Sequence, residues 1–147
     1  MAKLTKLAGA PANFPLEVEV QDLSGSPVEV GFICIGQTLR DWHPVAVRRA
    51  ADDANHALDA AATVKAQTDD GGERLVVNEA DVAAGLDKGM RRMVAIIREV
   101  ANGWDLEDEF SDENIAVLCS KFPGVHQLLW VKYDRRIRGD RLGNLKP

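Results

Sequence analysis

Leu16-Glu17-Val18-Glu19-Val20-Gln21, then Ser24-Gly25-Ser26-Pro27, then Val28-Glu29-Val30-Gly31-Phe32-Ile33-Cys34-Ile35, is the stretch on which the fold turns. Leu16, Val18 and Val20 alternate with Glu17, Glu19 and Gln21, the period of two that puts apolar and polar side chains on opposite faces of a strand. Ser24 to Pro27 supplies the turn. The second run starts with the same alternation and ends apolar at every position from Phe32 to Ile35, which predicts burial on both faces at its end. Residues 14–36 are therefore expected to form a β-hairpin. A lone hairpin is marginal in water, so helices must cover it.

Helical patterns occupy the rest. After Gly36-Gln37-Thr38 closes the strand, Pro44 is placed for an early turn of a long helix, with Asp41 or His43 as candidate cap. Val45, Ala46, Val47, Ala50, Ala51, Ala54, Leu58, Ala61 and Ala62 follow the three-and-four spacing of one helix face. Thr68 to Gly72 reads as a loop, and Leu75-Val76-Val77 as a candidate third short strand.

A second long helix is expected from an Asn78 cap, with Val77 and Val82 as a hydrophobic staple. Its stripe runs through Val82, Leu86, Met90, Met93, Val94, Ile97, Val100 and Ala101, and Asn102-Gly103 is its expected stop. Ser111 caps a third helix bearing Ile115, Leu118, Cys119 and Phe122, which Pro123-Gly124 breaks. A fourth carries Val125, Leu128, Leu129, Tyr133 and Ile137 on one side. The expected fold class is α+β: an N-terminal hairpin packed against two long and two short helices. The expected organisation is a loosely ordered N-terminus over 1–13, one domain over 14–138 and a basic tail over 139–147.

Composition fits that size. The chain has 147 residues, 46% of them apolar, enough for a core without staples. No apolar run approaches the about 20 residues of a membrane span, and Lys3 and Lys6 precede no apolar signal-peptide segment. A net charge of −5 disfavours nucleic acid and anionic membranes. The exception is the basic stretch of Lys132, Arg135, Arg136, Arg138, Arg141 and Lys146, which has no interleaved aromatics or reading motif. Pairing with the acidic segment from Asp105 to Glu113, or use as a polar protein-binding tail, is the expectation for it.

Chemistry is not written in the residues. His43, His56 and His126 fall in different elements without metal-ligand spacing, and are expected at the surface or its boundary. Cys34 and Cys119 lie in apolar runs, as buried thiols do, with a disulfide left open. The carboxylates of residues 105–113 do not match a calcium loop and suit a solvated helix entry. No nucleophile stands beside a base, and no phosphate loop occurs, so no enzyme activity, cofactor or metal is expected. Binding another protein is the remaining class. Tryptophan, tyrosine and arginine dominate binding hot spots, which selects Trp130, Tyr133 and Arg136 on the closing helix, with Trp104 as second choice.

The C-terminal half also carries a family pattern. Val100-Ala101-Asn102-Gly103-Trp104-Asp105, an acidic spacer, Phe110-Ser111-Asp112-Glu113-Asn114-Ile115, a short helix to Phe122-Pro123-Gly124 and a closing helix ending in Tyr133-Asp134-Arg135-Arg136 resemble the tail assembly chaperones of long-tailed bacteriophages and prophages. The hairpin and Trp42 fit the same pattern. The resemblance implies a late protein of the bacterial host cytoplasm that binds the tape measure protein, keeps it soluble, promotes tail tube protein assembly around it, self-associates, and is absent from the mature virion. A structural tail or head–tail connector component is the alternative, and a small nucleic-acid-binding regulator a more distant one.

Overall fold

A computed structural model of the chain describes residues 2–68 and 79–140, the side chains of 61–68 excepted. The order is β1 (Phe14–Gln21), β2 (Pro27–Cys34), α1 (Leu39–Thr68), α2 (Glu79–Val100), β3 (Ala101–Trp104), α3 (Asp112–Lys121) and α4 (Val125–Ile137). The fold is α+β, with an antiparallel sheet in the order β1-β2-β3. The expected hairpin is present, Val18 lying opposite Val30 and Leu16 opposite Phe32.

The turn between β1 and β2 is built by Asp22, ahead of the expected Ser24–Pro27. The Asp22 carboxylate accepts hydrogen bonds from the Ser24 and Ser26 amides, each at 2.9 Å, and Gly25 takes a φ of 86°. Pro27 is the first residue of β2, where a missing amide hydrogen is tolerated.

The alternation decides the layers. Leu16, Val18, Val20, Val30, Phe32 and Cys34 are buried in the core with Ile97, Val100, Ile115, Leu118, Val125, Leu129 and Tyr133, while Glu17, Glu19 and Glu29 are exposed. The two-sided burial expected at the end of β2 does not occur, because Ile33 is exposed on the opposite face from Phe32 and Cys34.

The third strand lies at Ala101–Trp104, where the helix stop was expected. The Leu75–Val77 candidate falls outside the described residues, as do the 69–72 loop, the Asn78 cap and Val77 of the staple. Gly103 does not take the positive φ that closes a helix; among the described residues the positive-φ glycines are Gly9, Gly25, Gly124 and Gly139. Instead α2 ends at Val100, whose carbonyl accepts from the Ile35 amide at 2.9 Å, and the chain passes directly into pairing with β2. Ala101 lies opposite Cys34 and Gly103 opposite Ile33, so Asn102 is the extra residue of a bulge. Asp105 extends the edge. Its amide donates to the Gly31 carbonyl, and its carboxylate accepts from the Gly31 amide at 3.1 Å.

Thr38, rather than Asp41 or His43, caps α1: its hydroxyl accepts from the Asp41 amide at 3.2 Å. Pro44 sits inside the helix, where it forgoes one backbone bond. The 30 residues of α1 span about 45 Å at the α-helical rise. Among the described side chains of α1 only Trp42 and Ala46 are buried; Val47 and Leu58 are exposed, as are Ala50, Ala51 and Ala54. The described part of the long apolar face expected for α1 is therefore mostly uncovered, and the side chains of Ala61 and Ala62 lie outside the described residues.

Ser111 caps α3 as expected, its side chain accepting from the Asn114 amide. Gly124, with φ 96°, reverses the chain into α4. Gly139, with φ 89°, closes α4: its amide donates to the Arg136 carbonyl, and the Asp140 amide to the Arg135 carbonyl.

Candidate partner-binding surface

The α2 stripe is one continuous line of side chains with three fates. Ile97 and Val100 are fully buried; Met90, Met93 and Val94 are half-buried against the core; Val82 and Leu86 stand 57% and 65% exposed. The sequence periodicity is the same throughout, so the change comes from packing: α3 and α4 reach the last turns of α2 and not its first. Between α2 and α3 lies a groove of about 570 Å³, floored by Met90, Val94, Ala95 and Ala116. Asp87, Arg91 and Glu113 rim it, and Arg98 bonds to Asp112 at 2.7 Å. An apolar stripe leaving the core as a groove with a charged rim suits the apolar face of an amphipathic helix. Methionine on its floor adapts to varied side chains.

Two ion pairs tie α1 to α2 at the base of this stretch, Arg49 with Glu99 and Arg92 with Asp53. His126 of α4 is buried in the same region with no partner on Nδ1, against the expectation of a surface position. Its ring lies near Arg92 and Asp53. Desolvation by burial first, then the Arg92 charge, lowers its pKa, with Asp53 opposing. Burial and the Arg92 charge therefore both favour the neutral imidazole.

Three of the four residues selected from the sequence come together, and the fourth does not. Arg136 lies over the Phe14 ring at 5.4 Å, Phe14 stacks on Tyr133 at 5.8 Å, Tyr133 meets Trp42 edge-on at 4.8 Å, and Trp42 packs on Trp130 at 5.4 Å. This ladder joins β1, α4 and α1. Tyr133 is fully buried and its hydroxyl donates to the Ile35 carbonyl at 2.6 Å while accepting from Gln37. Trp130 and Arg136 are half-buried at its two ends. Trp104 lies apart, packed between Phe32 and Phe110, with its indole donating to the Asp108 carbonyl at 2.7 Å. Of the residues lining the α2 groove, the sequence singles out Met90, with Met93 beside it, as material for a groove that takes amphipathic helices, although methionine at helical spacing is more often core; the further signal is a stripe longer than the neighbours that could cover it.

The remaining chemical candidates are accounted for by the fold. Cys34 and Cys119 are separate buried thiols, and burial pushes them up to about 12 and about 11, away from thiolate reactivity. His43 faces Arg138 at the surface. Among the described residues no group of three or more His, Cys, Asp or Glu is placed to hold a metal, and no helix is long and apolar enough to cross a membrane. The expected pairing of the basic C-terminal stretch with the acidic segment is not formed by its described residues. Arg138 pairs with Asp134 and Arg135 with Asp140 inside the same stretch, whereas Asp112 pairs with Arg98 of α2.

No curated protein and no solved structure matches the chain. A family model described as phage tail assembly chaperone matches residues 1–144.

Proposed function

Because this chain belongs to the phage tail assembly chaperones, a family that is not an enzyme class and whose partner is a tail protein, we propose that it binds the tape measure protein along the uncovered part of α2. In this reading it keeps that long helical client soluble, promotes assembly of the tail tube protein around it, self-associates along the client, and works late in infection in the host cytoplasm without entering the mature virion. The observation that carries the reading is the α2 stripe, which passes from the core at Ile97, along the groove against α3 at Val94 and Met90, to open solvent at Leu86 and Val82. A chaperone of this kind needs apolar surface for amphipathic segments, and no reaction chemistry. Trp104 and Arg136 are proposed as secondary contacts at the body's surface, with Tyr133 and Trp130 holding α4 in place behind Arg136.

Co-expression with the tape measure protein tests this. The expected result is a marked rise in its soluble fraction and a complex that co-purifies, while mass spectrometry of finished particles finds no copy of this chain. An unchanged soluble fraction, with the chain present in particles, would replace the reading with that of a structural tail component.

A further inference from the structure

The outer edge of β1 and the face of α4 beside it form a second groove, unconnected with the α2 stripe. The Gly31 amide and carbonyl bond to Asp105, toward β3. Glu17 lies opposite Gly31. In an antiparallel pair the backbone groups of such a residue point away from its neighbour. Glu17, Glu19 and Gln21 therefore aim their amides and carbonyls at the open side of the sheet. Pro15 sits in the same outward phase, where its missing amide hydrogen costs no ladder bond. The outward direction is confirmed by Lys132 of α4, whose ammonium donates to the Glu17 carbonyl.

Beside this edge, a groove of about 680 Å³ is lined by Leu128 and Val131 of α4, which are 49% and 46% exposed. These side chains lie on a different stripe of α4 from the buried Val125, Leu129 and Tyr133.

The geometry points to this groove as a docking site for an extended segment of a partner protein in which apolar residues alternate with Lys or Arg. Only a strand offers carbonyls and amides at the spacing that the β1 edge presents. As a fourth strand it would direct alternate side chains to the two faces of the sheet. Those on the core side would rest on Leu128 and Val131. Those on the solvent side would stand beside Glu17 and Glu19, where a cation is the favourable cross-strand neighbour. The acids on that face are already crowded: repulsion from Glu17 first, with Glu19 and Asp105 adding to it, raises the carboxyl pKa of Glu29. The same charges disfavour a second copy pairing edge to edge, since that would set Glu17 and Glu19 against carboxylates of the other β1.

The test uses the full chain and a fluorescein-labelled eight-residue peptide of alternating Val and Lys, the length of β1. The controls are a peptide of alternating Val and Glu and a peptide of the first composition reordered to helical spacing. Expected is an anisotropy rise with the Val/Lys strand alone and slowed amide exchange at Glu19 and Gln21 in the complex. Glu19→Pro, which removes an outward amide hydrogen and no sheet bond, and Leu128→Lys should each weaken binding at least about tenfold, the loss of one or two ladder or apolar contacts. Leu86→Glu should leave it unchanged. Equal binding of the Val/Glu peptide, a preference for the helical ordering, unprotected Glu19 and Gln21 amides, or full affinity in both groove variants would each overturn the proposal. So would a dimer of the chain alone that Glu19→Pro abolishes.

Discussion

Tyr133 shows how a residue chosen for one role serves another. Its ring is clamped between Phe14 and Trp42, and its hydroxyl both donates to the Ile35 carbonyl and accepts from Gln37. The side chain thus fastens α4 to the end of β2. Tyr133→Phe keeps the ring and deletes both hydrogen bonds, so urea unfolding should report a loss of about 1–3 kcal/mol with an unchanged slope. A loss under about 0.5 kcal/mol would mean that the hydroxyl does not join these elements. Aromatic identity was legible in the sequence, and burial was not, because tryptophan and tyrosine serve cores and interfaces alike. The burial of His126 is hidden in the sequence for a similar reason: a polar residue beside the apolar Val125 gives no sign that α1 and α2 close over it.

At the scale of elements, the readings that succeeded rest on local physics. The alternation in β1, the Ser111 cap and the Pro123-Gly124 break are each decided within a few residues. The readings that failed depend on partners distant in sequence. Asn102-Gly103 has the composition of a helix stop, yet its backbone is claimed by β2, which lies almost seventy residues earlier, and pairing across a sheet overrides a terminal preference. The apolar face of α1 was visible as a period; that the body ends before the helix does was not.

The joint of α1, α2 and α4 makes its own prediction. Burial and Arg92 depress the pKa of His126, so between that value and the unfolded value of about 6.5 the unfolded chain binds more protons and stability rises with pH. The contribution is complete above about pH 6.5 and declines as the pH falls below it. The urea midpoint of the wild type should therefore drop between about pH 7 and pH 5. His126→Gln should make that drop shallower. Parallel pH profiles for the two proteins would show that the histidine is not held neutral by this joint.

For the molecule as a whole, the division is between a body and a helical extension. The body holds the sheet, α3, α4 and the last turns of α2. Beyond His56 on α1 and before Gly89 on α2, every side chain described is exposed. The body was legible as a set of elements and the class α+β followed from their order. The extension was legible only as helices, since the same periodic stripe that signals a core also signals a surface awaiting a partner. In the proposed function that uncovered surface receives the client, and burial separates it from the stripe's structural half.

The most direct measurement is the soluble fraction of the tape measure protein when co-expressed with this chain carrying both Val82→Glu and Leu86→Glu. These positions are 57% and 65% exposed, so the thermal midpoint of the variant alone should stay close to that of the wild type. The account predicts that the client returns to the insoluble fraction and that no complex co-purifies. A doubly substituted chain that folds normally and still keeps the client soluble at the wild-type level would contradict it.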